Sequence, residues 1–462
     1  MARVFTILLL ISTLLYHGQA EKLYSVADLK YDIAFLKQKL EVHHPNLYLY
    51  TDKKIIDSVF DRLTNSITEP MTEWEFYKHI TIVSSVIKDG HTIILPSSYT
   101  TAYHNTNSKF LPYKLRLIGN CLFTEMVLTG NSTIQEGAEI TAINGQDAQT
   151  IIHQLTERQV RDGYNETYPA WIINNYFREY YSYIYGHPAE FTIQYRINNT
   201  NFETTVAGLS KDSISYYRQL KYSDQVSVNQ PNGGIVFQIF PNSDYAKLTI
   251  KDFHGSVLRK EYHQNFKTEI KKAFQQLTDK KIDHLILDLR NNQGGDVKYG
   301  VYLLSYLLQQ NFCVVEQYYH VLHKTSTYQL VKTNGEEAGV HKPKDRSFKG
   351  KLYVLINGGS FSNSGIVASA LKQYGRATFI GNETGGSNKV LAGWTKDYSL
   401  PNTKIHIEAP TKQFMLNEKL PLTGHGTMPD YEINEVIEDV LNKQDKALDL
   451  VVKLLTDQKK GR

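Results

Sequence analysis

The segment Lys351–Ala370, with the sequence KLYVLINGGSFSNSGIVASA, constrains the fold more than any other part of the chain. The apolar run Leu352–Ile356 indicates a buried strand, a Gly-Gly pair indicates a turn, and a group of serines opens an apolar helix. A hydroxyl at such a strand-to-helix junction lies beside the free N–H groups of the first helical turn, which stabilise negative charge. Ser360, Ser362 and Ser364 are therefore candidate nucleophiles, although serine also caps many helices without doing any chemistry.

A second apolar strand, His284–Leu289, is followed by a loop that contains the pair Gly294-Gly295. Adjacent glycines adopt positive φ easily and let backbone N–H groups approach an oxyanion closely. The simpler interpretation of the same pair is a plain strand-to-helix turn. Asp288 and Arg290, at the edge of this strand, are interpreted as a structural ion pair rather than as catalysts.

The order of elements in the second half of the chain indicates the fold class. Apolar runs that suit buried strands alternate there with periodic runs that suit helices. The predicted strands are Ala246–Ile250, His284–Leu289, Leu352–Ile356 and Ala377–Ile380, and the predicted helices are Glu261–Thr278, Lys298–Leu308 and Ser364–Tyr374. This alternation predicts an α/β protein with a mixed, mostly parallel sheet flanked by helices, and with ligand loops after the carboxyl ends of the strands.

Two regions with other patterns precede this α/β domain, which is assigned to residues 230–460. Residues 21–105 show helical spacing of apolar residues, and Thr72 with Glu75 forms a capping box at the start of a predicted helix. Residues 106–210 change to short alternating strands, with Asn144-Gly145 as a hairpin signal. The sequence thus predicts an N-terminal helical domain and a β-rich middle domain before the α/β domain.

His91 lies in the sequence Lys88-Asp89-Gly90-His91-Thr92, where the last N-terminal helix meets a predicted strand. A lone histidine is usually structural or merely exposed. With an unperturbed pKa of about 6.5, however, histidine is the natural general base for a serine. An imidazole that takes the serine proton while a third group holds it in place is the general arrangement of serine hydrolases.

Composition excludes several other classes of function. The formal net charge is only +4, which gives no basis for a nucleic-acid partner. The histidines and the two cysteines lack the close spacings of a zinc site, so neither a metal nor a cofactor is expected. Cys121 and Cys313 lie far apart and are interpreted as buried free thiols, with a disulfide left open.

The first twenty residues have the pattern of a secretory signal peptide. Arg3 supplies the positive charge, Val4–Leu15 the apolar core, and Gly18-Gln19-Ala20 a cleavage site with small residues. The apolar run is too short to span a bilayer comfortably, so no stable membrane insertion is expected after cleavage of residues 1–20. The mature protein is expected to be secreted or periplasmic, and its oligomeric state is left open, including a homo-oligomer.

Four motifs, in the same order along the chain, resemble those of the tail-specific, or C-terminal-processing, serine peptidases. They are Asp288–Gly295 for DLRxNxGG, Asn357–Leu371 for the nucleophile segment, Gly381–Gly386 for GExTxG, and Gly426–Asp430 for GxxPD. The resemblance implies a crotonase-like protease core and an exported serine peptidase that acts on peptides or proteins. Gly137–Gln146 is similar to the GDxIxxING core of a PDZ-like domain, which the resemblance places within residues 106–210.

The same resemblance assigns roles to individual residues. Ser362 corresponds to the nucleophile, and the backbone N–H of Asn363, with that of Gly294 or Gly295, corresponds to the oxyanion hole. Bacterial processing proteases carry a lysine base in a GKG sequence. The aligned residue here is Ser387, and Lys389 comes two positions late.

The chain resembles instead the branch typified by the tricorn core protease and by retinoid-binding-protein repeats, whose base is an N-terminal histidine. His91 matches that motif. In this branch a glutamate completes the charge network, but the aligned residue here is Thr423. Glu383 and Glu418 are the candidates for this role, and Glu383 is preferred because it follows the predicted strand Ala377–Ile380.

A second class of function stays open, namely a catalytically inactive family member that acts as a ligand- or peptide-binding protein. The same fold serves as a ligand carrier in retinoid-binding repeats, and a fold alone never determines function. The presence of Ser362, His91 and the Gly294-Gly295 pair in one chain favours catalysis.

Overall fold

The computed structural model describes residues 22–228, 233–241, 243–322 and 328–460, so the predicted signal segment lies outside the described residues. The first region, up to residue 107, is mainly helical. Its elements are β1 (Leu23–Tyr24), α1 (Val26–His43), α2 (Lys53–Ser66), β2 (Met71–Thr72), α3 (Glu73–Ile80), α4 (Ile82–Ile87), β3 (Ile93–Leu95) and α5 (Ser98–Asn107). The capping box of Thr72 and Glu75 is confirmed, but the helix that it opens is interrupted at Thr81.

The N-terminal helices pack against a distant part of the chain. Their buried apolar side chains share one core with Leu400, Ile405, Ile407 and Ala409 from the C-terminal region. The short strand β3 continues this contact, because Ile94 pairs antiparallel with Ile407. His91 lies two residues before β3, so this strand pairing carries the imidazole to the C-terminal region.

The middle region is one antiparallel sheet with helices packed on it. Its elements are β4 (Tyr113–Ile118), β5 (Cys121–Val127), β6 (Glu139–Ile143), β7 (Gln146–Asp147), α6 (Ala148–Thr156), α7 (Thr167–Tyr185), β8 (Glu190–Ile197), β9 (Thr200–Ala207) and α8 (Lys211–Val228). The strand order is β4-β5-β6-β8-β9, with β7 paired to β6 across the predicted Asn144-Gly145 turn. That this region is PDZ-like stays a prediction.

A central sheet organises the C-terminal region. Its strands are β10 (Ile235–Ile239), β11 (Tyr245–Ile250), β12 (His284–Asp288), β17 (Lys351–Ile356), β18 (Thr378–Gly381) and β21 (Tyr431–Glu432), hydrogen-bonded in that order. The flanking helices are α9 (Gly255–Glu261), α10 (Phe266–Asp279), α11 (Val297–Leu307), α12 (Asn363–Gln373), α13 (Ile437–Leu441) and α14 (Lys446–Lys460). The pairs from β11 to β21 are parallel, so β12 and β17 present their carboxyl ends at one edge.

A second sheet in the same region is antiparallel. It contains β14 (Gln317–Val321), β15 (Leu330–Thr333), β19 (Val390–Ser399) and β20 (His406–Met415), and β13 (Phe312–Cys313) and β16 (Val340–His341) form a separate pair. The mixed α/β class is therefore confirmed, but a mostly parallel sheet is wrong as a description of the whole molecule. Among the described strands, parallel ladders occur in the central sheet alone, because the other strands are joined largely through hairpins, which require antiparallel pairing.

One predicted helix is also corrected. The helix expected over Glu261–Thr278 is two helices, since α9 ends at Glu261 and α10 begins at Phe266. His263 adopts positive φ between them, and the Asn265 side chain accepts a hydrogen bond from the Thr268 N–H and so caps α10. Cys121 and Cys313 are free thiols, each partly exposed rather than fully buried. Among the described helices, none combines the length and the apolar character that crossing a membrane would require.

Candidate active site

Ser362 is the member of the serine cluster that faces a cleft. Ser360 and Ser364 are completely buried, and the Ser360 hydroxyl donates to the Leu289 carbonyl at 2.8 Å. Ser362 is partly exposed at the start of α12 and holds a φ of 51°. A residue other than glycine in that conformation is strained, and such strain persists where the surrounding structure enforces it, often at active sites.

His91 and Ser362 come together from opposite ends of the chain. The Nε2 atom of His91 lies 3.2 Å from Oγ of Ser362, a contact across 271 residues of sequence. The imidazole packs against the Phe361 ring with 4.6 Å between the ring centroids. Gly90 is required for this approach, because a Cβ atom there would lie 2.7 Å from the same Phe361 ring.

The glycine pair after β12 closes the other side of Ser362. A Cβ atom on Gly294 would lie 2.7 Å from both the Asn363 nitrogen and the Ser362 Cβ atom. The Gly294 N–H is already engaged, because it donates to Oδ1 of Asn292 at 2.9 Å. The backbone N–H groups of Gly295 and Asn363 have no partner among the described residues, so these two are available to an oxyanion.

The structure brings neither predicted glutamate to His91. Glu383 accepts hydrogen bonds from Nδ1 of His425 at 3.1 Å and from the Gly426 N–H at 2.7 Å. Glu418 has an exposed side chain, and the contacts recorded for it go to other parts of the molecule. Lys389 donates to the backbone carbonyls of Glu418 and Leu420, so its ammonium group is held away from Ser362.

The carboxylate whose charge acts on His91 is Asp89, which the sequence analysis missed. Asp89 is buried, and its Oδ1 atom accepts the backbone N–H of His91 at 2.9 Å and the Thr92 hydroxyl at 3.1 Å. The buried His44 adds a contact of 3.7 Å to the same oxygen. The available signal was the Asp-Gly-His-Thr sequence itself, since a side chain two residues before the histidine can fold back onto the corner.

Burial and charge set the protonation states at this corner. Burial lowers the pKa of His91 below its ordinary value of 6.5, and the Asp89 carboxylate opposes that shift. Burial alone would raise the pKa of Asp89, but His44 and His91 outweigh burial and lower it. The imidazole is therefore held in its neutral form near pH 7, which is the form that a general base requires. Its Nδ1 atom is buried without a hydrogen-bond partner among the described residues.

A second buried carboxyl group, that of Asp162, stabilises the corner that carries His91. It accepts the Gly90 N–H at 2.7 Å and the Ser387 N–H at 3.0 Å, and so joins the corner to the loop after β18. Burial, with the nearby charge of Asp89, raises the pKa of Asp162 to about 7. Sequence reasoning did not single out Asp162, because the residues that it joins are distant in sequence.

A cavity of about 460 Å³ opens beside Ser362 and His91. Gly295 lies on its wall together with apolar residues of the antiparallel C-terminal sheet and of helices α11 and α12. A larger cavity of about 720 Å³ lies near the opposite ends of the central strands and includes neither Ser362 nor His91 among its lining residues. Chemistry is therefore expected in the smaller cavity.

Comparison with known proteins agrees with this architecture. Residues 244–433 match the model of Peptidase family S41. Mature CPAF complexed with lactacystin has a similar fold, with a TM-score of 0.69 and 14% sequence identity over 95% of this chain and 99% of that chain.

Two curated relatives carry names that state a processing activity. Carboxyl-terminal-processing peptidase 3, chloroplastic, of Arabidopsis thaliana is 25% identical over 56% of this chain and 40% of its own length. The carboxyl-terminal-processing protease of a Synechocystis strain is 32% identical over 29% of this chain and 29% of its own length. The chain thus spans less than half the length of each of these relatives. Residues 244–433 of this chain belong to peptidase family S41, together with its carboxyl-terminal-processing relatives.

Proposed function

We propose that this protein is a serine peptidase in which Ser362 is the nucleophile and His91 the general base. The observation that carries the proposal is the 3.2 Å contact between His91 Nε2 and Ser362 Oγ at the edge of a cavity. Nε2 takes the hydroxyl proton as Oγ attacks the peptide carbonyl carbon, and the imidazolium then gives that proton to the leaving amine. A water molecule repeats the sequence to release the acyl group.

The oxyanion formed in each step would be met by the backbone N–H groups of Gly295 and Asn363. Both are unpartnered among the described residues, and the two loops approach so closely that a Cβ atom on Gly294 would lie 2.7 Å from the Asn363 nitrogen. Donors already fixed in a partly dry site need little reorganisation during the reaction, which makes them effective. The engaged N–H of Gly294 favours Gly295 as the second donor.

Asp89 takes the part that the sequence analysis gave to Glu383. Its negative charge stabilises the imidazolium that forms when His91 accepts the serine proton, and its hydrogen bond to the His91 backbone fixes the corner. Asp89 does not need to accept a proton for this role, because a fixed negative charge is sufficient.

The further expectations are part of the same proposal. Residues 1–20 direct export, and the middle region acts as a PDZ-like domain that presents peptide substrates to the site. The β-rich architecture of residues 113–207 supports the second point. Peptide or protein substrates follow from the peptidase family to which residues 244–433 belong.

A fluorophosphonate probe tests the proposal directly, because it reacts with an activated serine hydroxyl. The wild-type chain should be labelled, and both Ser362→Ala and His91→Ala should lose labelling. Ser364→Ala is the matched control, since its hydroxyl is fully buried two residues away, and it should be labelled like the wild type. A wild-type protein that stays unlabelled over the whole pH range of its stability would favour the non-catalytic binding protein instead.

A further inference from the structure

The cavity beside Ser362 has an apolar floor. Ile366, Leu391 and Phe414 line it, and each of these side chains is only 2% exposed. Val297, at the start of α11, adds a fourth apolar wall. A volume of about 460 Å³ with such a lining suits a side chain rather than a string of water molecules.

Trp394 stands at the side of this cavity in an unfavourable backbone conformation. It lies inside β19, yet its φ is 53°, and its side chain is 43% exposed. A bulky residue at positive φ is an outlier that persists only when its surroundings enforce it, and such outliers cluster at ligand clamps. Here the Thr411 hydroxyl holds the Trp394 carbonyl at 2.5 Å, and the indole stacks on Tyr318 with 6.0 Å between ring centroids.

The mouth of the cavity is acidic. Glu336 and Glu408 line it, and no lysine or arginine is found among the described lining residues. A third lining carboxylate, Asp296, already accepts the Gly255 N–H at 3.0 Å. His254 also lines the cavity, but its Nδ1 atom lies 2.9 Å from Asp252, so its positive charge is paired.

Lys412 offsets this negative charge only in part, because it interacts with Glu336 but does not line the cavity. Lys412 lies over the Trp394 indole, with Nζ at 3.7 Å from the ring centroid, and donates to the Asn334 carbonyl at 3.2 Å. It therefore supports the indole from outside the cavity lining. The result is an apolar pocket with the carboxylates of Glu336 and Glu408 at its entrance, where Oε1 of Glu408 also lies 3.4 Å from Nε2 of His406.

We propose that this cavity is the specificity pocket of the peptidase, selecting internal peptide segments that place a bulky apolar side chain beside the bond to be cut and a lysine or arginine next to it. The proposal rests on the serine peptidase activity proposed above. Burial of the apolar side chain supplies most of the selectivity, since one methylene in an apolar pocket changes kcat/KM by about tenfold or more. The basic neighbour lies against Glu336 and Glu408, whereas an acidic side chain or a free terminal carboxylate is repelled there.

Internally quenched decapeptides with blocked ends test the proposal. The peptides share one sequence except at two adjacent positions. The first position carries Leu, Phe, Ala or Asp, and the second carries Lys or Glu. Mass spectrometry of the products locates the bond that is cut. We expect kcat/KM for Leu and Phe to exceed that for Ala by about tenfold or more, and Lys to exceed Glu by about threefold. Equal rates across the set would overturn the proposal.

Variants assign each preference to its residues. Trp394→Ala and Val297→Trp should each reduce the ratio of Leu to Ala, the first by opening the pocket and the second by filling it. The double variant Glu336→Gln/Glu408→Gln should remove the preference for Lys while leaving the preference for Leu. Glu337→Gln is the matched control, because Glu337 faces His341 at 3.9 Å and does not line the cavity. Unchanged kcat/KM ratios of Leu to Ala and of Lys to Glu in all the cavity variants would show that the pocket does not determine substrate preference.

Fluorophosphonate labelling of each variant separates the two proposals. If Ser362 of the wild type is not labelled, the peptidase activity itself is wrong. If Ser362 is labelled and the peptides are cut without preference, the peptidase activity stands and the specificity pocket is wrong.

Discussion

The two halves of the candidate site are held in place by different kinds of contact. Ser362 follows β17, a strand of the central sheet, and its loop is fixed by apolar packing and by hydrogen bonds of the backbone and of uncharged side chains such as Ser360 and Asn357. His91 lies on a corner that is held by buried polar side chains, chiefly Asp89, Asp162 and His44. Ser362 is therefore held by uncharged contacts, whereas His91 is held by ionisable groups whose interactions depend on protonation.

The two halves of the site are sensitive to different kinds of substitution. Apolar packing responds to changes of volume, while a buried polar network responds to any change that leaves one member without its partner. Substitutions and pH should therefore act on the two halves in separable ways.

The largest effect is expected from His91→Ala. Loss of the base should lower kcat/KM by about 10³-fold or more, since general base catalysis and activation of the serine disappear together. Steady-state kinetics on a quenched peptide measures this, and circular dichroism should show an unchanged fold. A loss of less than tenfold would exclude His91 as the base.

The next two variants compare the Ser362 half of the site with the His91 half. Gly294→Ala places a Cβ atom against Asn363 and Ser362 at a φ of 99°, while Gly90→Ala places one against the Phe361 ring. We expect about a 10²- to 10³-fold loss of kcat for Gly294→Ala, comparable with the loss of an oxyanion donor. Gly90→Ala should displace the imidazole and alter the pH profile as well. Identical pH profiles of kcat in the two variants would contradict the view that the Ser362 and His91 halves respond separately.

Asp89→Asn tests the charge at the His91 corner with little change of shape. Because Asp89 opposes the lowering of the His91 pKa by burial, its loss should move the acid limb of kcat/KM to lower pH. The plateau should fall by about tenfold to a hundredfold, because the imidazolium loses its stabilising charge. Glu383→Gln is the control and should keep the wild-type acid limb. The proposal for Asp89 is wrong if Glu383→Gln shifts the acid limb of kcat/KM and Asp89→Asn does not.

Acid should destabilise the folded chain through a pair of partly buried, stacked histidines. His104 and His187 stack with 4.5 Å between ring centroids, beside Trp74. Burial lowers the pKa of each to about 4 from an ordinary value of 6.5. The unfolded chain therefore binds more protons between these values, and stability present above pH 6.5 is lost as the pH falls towards 4.

Urea unfolding at a series of pH values measures this loss. After allowance for solvent at these partly exposed rings, we expect at most about 2 kcal/mol per histidine. His187→Phe should flatten the pH dependence, whereas the exposed His153→Gln should not. A wild-type stability that is constant from pH 7 to pH 4 would contradict the prediction.

The smallest effect is expected from Lys389→Ala. Its ammonium group is bound to the Glu418 carbonyl at 3.0 Å and not to Ser362, so kcat/KM should change by less than about twofold. A loss of several orders of magnitude would restore a serine–lysine dyad and remove His91 from its role.

Local patterns predicted local structure well. The capping box of Thr72 and the turn at Asn144-Gly145 depend on neighbours within a few residues, and both are present. The strands and helices around Ser362 were also expected, because their apolar runs are continuous. The helix break near Asn265 was missed, since a capping side chain outweighed the apolar periodicity.

Long-range features could not be derived from patterns alone. The pairing of β3 with β20 joins residues more than 300 positions apart, and no local periodicity indicates it. Asp89, by contrast, lies only two residues before His91 and was overlooked in favour of Glu383, whose carboxylate accepts a hydrogen bond from His425 instead. The meeting of His91 and Ser362 was expected only through the family resemblance.

The pairing of β3 with β20 couples the proposed catalytic contact to the proposed specificity pocket. Ile93, two residues after His91, lies opposite Glu408, which lines the cavity beside Ser362. A slip of one residue in this ladder would turn Glu408 to the other face and shift the imidazole by about 3.3 Å along the strand. A chain paired in the shifted register would thus lose the proposed substrate preference and the proposed catalytic contact together, so that correct pairing of this one ladder controls both.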